Sequence, residues 1–384
     1  MNNKSLLTLF IALFFLTANF PAWPDEVKEF SYSPVMRDQG KKWRIAYYQG
    51  GSSSNYYPYL AATVKGLIGL GWIEKIEIPD KENTDTQQFW EWLASNAKSK
   101  YIEFIADGYY NANWDSTLRI AIKKAIIDRL RSPKKDVDLI IAMGTWAGQD
   151  LANNEHHTPI VVMSTTDPVK AGIISSNNDS GYDHVFARVD PGRWERQIRI
   201  FHKTIGFKKL GIAYENTSVG RTYAAINMIE NVAKEKGFQI IRCFTKDDIP
   251  DVEVAGESVI KCFEELAPQV DAIYVVIQNG VNANTIPKLI SIANKHRLPT
   301  FSQQGSDEVK AGFLMSIARQ GGFAPVGRFL AVSMSKIFNG AQPRQLKQVF
   351  EEGPAIALNL KTAETIGLYL TAEILAGADE MYQE

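Results

Sequence analysis

Two apolar runs flanking one helical segment, all within Asp138 to Gly172, restrict the possible folds more than any other part of the chain. Leu139 to Met143 stops at Gly144-Thr145, and Ile160 to Met163 stops at Ser164-Thr165-Thr166-Asp167-Pro168. Both runs are too short for helices and apolar on both faces, the pattern of parallel strands covered by helices on either side. Each ends in small polar residues. In an open parallel sheet, ligands bind beyond the carboxyl ends of the strands, where loops open and helix N-termini present free N–H groups. A site is therefore expected to begin at Thr145 and at Ser164 to Asp167.

The same alternation extends in both directions. Upstream lie a strand at Trp43 to Tyr48, helices at Tyr59 to Gly71 and Thr86 to Ala97, a strand at Tyr101 to Ala106 and a helix at Ser116 to Arg131. That last helix carries Leu118, Ala121, Ile122, Ala125, Ile126 and Leu130 on one face. A second series starts at Leu210 to Tyr214 and runs through strands at Phe238 to Phe244, Ala272 to Ile277 and Pro299 to Ser302, with helices between them. An extended piece at Phe313 to Ile317, a helix at Phe323 to Phe338 and a strand at Ala355 to Leu360 follow. A chain of 384 residues exceeds one ordinary core. The expected fold class is α/β, with two doubly wound parallel-sheet lobes. Residues 43–187 with 316–345 make the N-terminal lobe, and 188–315 with 346–384 the C-terminal lobe. Gly66, Gly69 and Gly71 suggest a dinucleotide fingerprint, but they close a helix and precede a strand, the reverse of what that motif needs.

A net charge of -1 and the lack of a basic stripe remove any electrostatic case for nucleic acid or an anionic membrane. The N-terminus departs from globular composition: Lys4 precedes an apolar core from Leu6 to Leu16, which reads as a cleaved secretory signal over residues 1–22. No cysteine lies near the cleavage region, so no lipid anchor is expected. Cys243 and Cys262 are the two cysteines, and either one disulfide or two buried thiols fits them.

The strand ends supply a polar and aromatic set that suits a small-molecule site: Gln49, Ser52 to Tyr57, Asp107 to Tyr110, Thr145, Trp146 and Ser164 to Asp167 from the first lobe. Asn216, Gln278 and Gln304 come from the second. Trp146, directly after a strand end, reads as a platform for a ring. Tyr57 and Asp107 are further candidates. There is no G-x-S-x-G elbow, no Walker loop and no H-E-x-x-H, so neither catalysis nor a metal or cofactor is expected. His156-His157 reads as a solvated loop pair, and Arg193-Trp194-Glu195-Arg196 as a solvated or partner-facing surface.

The segments IAMGTWAGQDL, TPIVVMSTTDPVKAGI, ARVDPGRWERQIRIFHKTIGFKKLGIAYE, VDAIYVVIQNGV, LPTFSQQGSDEVKAGFL and ALNLKTAETIGL together resemble ABC-transporter substrate-binding proteins of the tryptophan/tyrosine type, with a type I periplasmic-binding fold. The resemblance covers roughly residues 43–370. It implies two lobes about a hinge, a small solute held between them, and delivery to an ABC permease in the inner membrane. By position it places Gln49, Thr145, Thr166, Asp167, Asn216, Gln278 and Gln304 along the cleft. The expected protein is a periplasmic monomer that binds an amino acid or another small aromatic or polar molecule. A ligand-binding partner of a membrane sensory receptor is the alternative.

Overall fold

The computed structural model describes residues 29–79, 85–319 and 321–383. The expected signal segment over residues 1–22 lies outside them. The chain runs through β1 (Trp43–Gln49), α1 (Tyr56–Gly69), α2 (Thr86–Asn96), β2 (Ile102–Asn111), α3 (Ser116–Arg131), β3 (Leu139–Met143), α4 (Gly144–Leu151), β4 (Ile160–Met163) and β5 (Val185–Ala187). These strands form one parallel sheet in the order β2-β1-β3-β4-β5. Every residue of β3 and β4 is buried, as their continuous apolar runs require. Local signals set the helix ends. Asp85 caps α2 in a reciprocal box with Gln88, and Asp115 caps α3, which stops before Pro133.

The expected strand at Tyr101 to Ala106 is longer in the structure. Pairing with β1 jumps from Phe104 to Tyr109, so the residues between bulge out and β2 resumes to Asn111. Along α3, Ile126 is buried and Ile122 and Leu130 pack against the core while Leu118, Ala121 and Ala125 are exposed, so the expected apolar face is only partly covered.

The second series comprises α5 (Arg193–Ile205), β6 (Lys209–Tyr214), α6 (Ser218–Tyr223), α7 (Ile226–Lys236), β7 (Gln239–Phe244), α8 (Val252–Leu266), β8 (Ala272–Val275), α9 (Ile286–Lys295), β9 (Thr300–Ser302), α10 (Ser306–Lys310) and β10 (Met315–Arg319). The chain continues through α11 (Ala324–Phe338), β11 (Pro354–Asn359), α12 (Leu360–Ile366), α13 (Ala372–Ala376) and β12 (Glu380–Tyr382). The second sheet has the order β12-β11-β10-β9-β8-β6-β7. It is mixed and not wholly parallel: β11 runs antiparallel to β10, and β12 pairs parallel to β11. Its core joins Phe201, Phe207, Tyr214, Tyr274 and Phe301. Cys243 of β7 and Cys262 of α8 form a disulfide with Cα atoms 5.4 Å apart.

Here one expected boundary shifts. The stretch from residue 316 is expected in the first lobe, but β10 pairs with β9 and β11 in the second sheet, and the chain crosses only after Arg319. What returns is α11, which packs along α1. The approach is close because Gly66 and Gly327 have no side chains: a Cβ on Gly66 would meet that of Ala331 at 2.7 Å, and one on Gly327 would strike the backbone of Ala62. Gly66 is thus a helix-packing residue.

Among the described residues, three segments cross between the lobes: β5 to α5, β10 to α11, and α11 to β11. Val189 bridges Val349, and Gln348 accepts from the Ala187 N–H at 3.3 Å, tying the first and third crossings. A buried charge cluster binds all three. Glu352 accepts from Arg193 and Arg319 and lies 3.3 Å from Arg188, while Asp190 takes Arg188 at 3.1 Å and Arg196 at 3.0 Å. Burial works against the Glu352 charge, yet Arg193, Arg319 and Arg188 together hold its carboxyl below the ordinary glutamate value. Arg193 and Trp194 are buried here, so the expected solvated surface at Arg193 to Arg196 is in fact a hinge element.

Candidate functional site

A cavity of about 420 Å³ lies between the lobes, beyond the carboxyl ends of both sheets, in the size range of small-ligand sites. The first lobe contributes the loop from Ser52 to Tyr57, together with Trp114, Thr145, Ser164 and Thr166. From the second come Tyr223, Asp247, Asp248, Gln278, Asn279 and Gln304. Another hollow, of about 580 Å³, sits over the α1 and α11 pair and draws on the first lobe alone.

The ends of β1 and β3 need glycine to build this wall. Gly144 has φ +84, and a Cβ there would collide with the Tyr56 hydroxyl, so Tyr56 reaches the cavity only across a bare position. A Cβ on Gly51 would likewise strike the Trp114 ring. Trp114 itself has φ 55 and is fixed by its N–H to the Gly50 carbonyl at 2.8 Å and by its indole N–H to the Ser52 carbonyl at 3.0 Å.

In the second lobe, Gln303 organises the wall, accepting from the Ile277 N–H at 2.8 Å and donating to the Tyr223 carbonyl at 3.0 Å. Asp247 accepts from the Asn279 N–H, and its own N–H donates to Glu215 at 3.2 Å. The neighbouring Asp248 accepts from Tyr223 at 3.3 Å. Burial, then the Glu215 charge, pushes Asp248 up to about 7. Asp247 also rises well above the ordinary carboxylate value, through burial and then Asp248. Burial raises Tyr56 and Tyr223 as well, so both phenols stay protonated.

The lobes meet across the cleft. The Trp146 indole N–H donates to Asp248 at 3.2 Å, and the Gln304 amide donates to Ser54 at 2.9 Å. Trp114 and Tyr223 face each other edge to face at 6.5 Å. Nearer the hinge, the Trp194 indole donates to the Thr166 carbonyl at 2.9 Å.

Among the residues expected at the site, Tyr57, Thr145, Thr166, Gln278 and Gln304 stand around the cavity. Gln278 is also held on both amide atoms, by Thr245 at 2.8 Å and the Ala213 carbonyl at 2.9 Å. Four others lie elsewhere. Asp107 is 80% exposed and pairs with Arg129 at 3.1 Å, because the bulge in β2 carries it off the sheet end. Asp167 closes its own turn by accepting from the Lys170 N–H at 2.9 Å. Asn216 is exposed outside the cavity lining. Gln49 is fully buried, accepting from Tyr47 at 2.8 Å.

Trp146 is a correction of another kind. It is not part of the lining; its ring packs edge to face on Trp114 at 5.3 Å and under the Arg119 guanidinium at 4.4 Å. It supports the wall and latches the lobes through Asp248. Trp114, Tyr223, Asp247 and Asp248 join the site without having been expected from the sequence. His156 is buried against the His184 ring at 4.8 Å and only His157 is exposed, so the expected solvated pair is split. Among the described residues, no helix is long and apolar enough to cross a membrane.

A family model for ABC transporter substrate binding protein matches residues 101–382. The tyrosine-binding protein of Clostridioides difficile is 25% identical over 185 residues, 48% of this chain and 50% of that relative, so the alignment spans about half its length. Among solved structures, the ABC domain from Streptococcus pneumonia in complex with L-Trp superposes with a TM-score of 0.66 at 18% identity, covering 89% of this chain and all of that one (100%). A conserved domain protein of Vibrio cholerae gives 0.64 at 20% identity over 89% and 100% of the two chains. These likenesses bear out the expected two-lobed, type I periplasmic-binding fold.

Proposed function

We propose that this chain, which belongs to the ABC transporter substrate binding protein family, captures a small aromatic solute between its lobes and delivers it to the permease of an importer. It works as a monomeric carrier in the periplasm, after removal of its leader, and performs no chemistry on what it binds. The observation that carries this reading is the cavity itself, walled by rings and polar groups from both sheets and spanned by the Trp146 to Asp248 and Gln304 to Ser54 hydrogen bonds. A solute there meets its full set of contacts only when the lobes are together, so binding and closure are one event. The names of the relatives, a tyrosine-binding protein and a complex with L-Trp, support an aromatic solute. The Cys243–Cys262 disulfide supports an oxidising compartment.

Thermal-shift screening of aromatic amino acids and amines, followed by small-angle scattering of the hits, tests this. The right solute should add about 2.7 kcal/mol of stability at a hundredfold excess over its Kd. It should also reduce the radius of gyration. A tight aromatic ligand that leaves the radius unchanged would refute coupled closure. A screen in which only non-aromatic solutes bind would refute the aromatic assignment.

A further inference from the structure

The charge of the carried molecule can be read from the walls of the cleft, given the carrier reading above. Among the described residues, none around the cavity is Lys, Arg or His, whereas Asp85, Asp247 and Asp248 are carboxylates. Asp85 is committed to the cap of α2. The other two are not spent. Asp247 is 3% exposed, and only its Oδ1 takes a hydrogen bond, from Asn279; Oδ2 has none among the described residues. Asp248 receives Trp146 and Tyr223 on Oδ2, while its Oδ1 is buried without a partner. Glu215 stands behind them, receiving the Asp247 N–H and the Thr217 hydroxyl.

Nearby guanidinium groups are engaged elsewhere. Arg119 lies against Trp146 and is tied to Asp150 at 2.9 Å, and Arg319 is tied to Glu352 in the hinge. Asp247 keeps Oδ2 as an acceptor beside the cavity, and no described Lys, Arg or His touches either carboxyl, so a cationic ligand is the partner that would let this buried pair ionise. A metal ion does not fit, since the described side chains include no group of three acidic, His or Cys residues able to hold one. The rings of Trp114 and Tyr56 from the first lobe and of Tyr223 from the second, around the same cavity, favour an organic cation.

We infer that the solute is an aromatic amine of net positive charge without a carboxylate, its ammonium seated on Asp247 and Asp248 and its ring against Trp114 and Tyr223. A zwitterionic amino acid fits less well. Its carboxylate would meet only neutral donors, such as the hydroxyls of Ser52, Thr145 and Thr166, beside existing negative charge.

Calorimetry at pH 8 on the intact chain, with tyramine and tryptamine, then tyrosine and tryptophan, then the matching arylpropionates, tests the charge requirement. The amines should bind at least tenfold tighter than the amino acids, and the propionates should not bind. Asp247→Asn and Asp248→Asn should each weaken amine binding by more than thirtyfold while the melting temperature of the ligand-free protein stays level or rises. A residue with a merely structural role would lower it. Amino acids binding as tightly as the amines would overturn this inference and leave the carrier reading intact. If none of the compounds binds while a non-aromatic solute co-purifies, the aromatic assignment falls together with this one. The ligand series uses the unmodified chain, so its outcome does not depend on the variants folding.

Discussion

Glu352→Gln is the sharpest probe of how the lobes are joined. The carboxylate receives Arg193 and Arg319 and lies 3.3 Å from Arg188, in a place where Arg193 is only 4% exposed. The amide keeps the volume but removes the charge, so Arg188 and Arg193 are left to share Asp190 while Arg319 loses its carboxylate partner. Removing one partner of a buried ion pair costs about 3–5 kcal/mol, because the charge left behind can neither rehydrate nor find another partner. The expected loss is about 4 kcal/mol at pH 7, read from urea denaturation followed by circular dichroism. The pH dependence supplies a sign. Glu352 is held below the ordinary value of 4.5, so its contribution is fully present above that unfolded-chain value and is lost as pH falls through the lower folded value. The gap between parent and variant should therefore narrow in acid. A loss below about 1 kcal/mol at pH 7, typical of an exposed pair, or a gap that stays constant into acid, would refute the hinge reading.

Three other tests follow. Asp248 is pushed up to about 7 by burial and then Glu215, with Asp247, Tyr223, Tyr56, Trp146 and Arg119 also facing it. A bound cation favours the ionised form, so amine affinity should fall as pH drops through about 7; calorimetric affinity that is flat from pH 8 to 5.5 contradicts this. In the ligand-free protein the sign is opposite to that of Glu352: stability should decline as pH rises from the ordinary carboxylate range through that raised value. Trp146→Phe keeps the ring on Trp114 but deletes the N–H to Asp248, so the probe amine should bind at least about tenfold weaker and the free protein should be more open by scattering, in line with roughly 1.5–3 kcal/mol for a hydrogen bond to a charged acceptor. Unchanged affinity and radius would remove the latch. Cys243→Ser should cost about 3 kcal/mol, the loop entropy for a bridge separated by 19 residues, and a loss under about 1 kcal/mol in urea would show that the bridge does not restrain the unfolded chain.

Much of the frame is readable in the sequence because its signals are local. The runs at β3 and β4 are apolar throughout, and α3 begins and ends at the residues its Asp cap and Pro133 indicate. The site is half readable, through the rule about strand ends. That rule fails at β2, where a bulge moves the sheet end and takes Asp107 away while bringing Trp114 in. Applied to β7 it would reach Asp247 and Asp248, but β7 is an edge strand with Gln239, Arg242 and Phe244 exposed, and DDIP after it looks like a plain turn. Charge pairing is beyond reach. Arg193 meets Glu352 across 159 residues of sequence, and spacing carries no signal at that distance.

The seating of α11 on α1 also determines when the first lobe can exist. Residues 43–187 hold all of its strands, yet the inner side of α1, with Ala62 and Gly66, stays uncovered until Gly327 and Ala331 have been synthesised. A ribosome that has produced the whole first sheet has still produced only an unfinished lobe. Its closing helix arrives after the second lobe is almost complete, so native docking must wait for long-range search rather than proceed from the N-terminus outward. Such a chain stays pliable until its last third has been made.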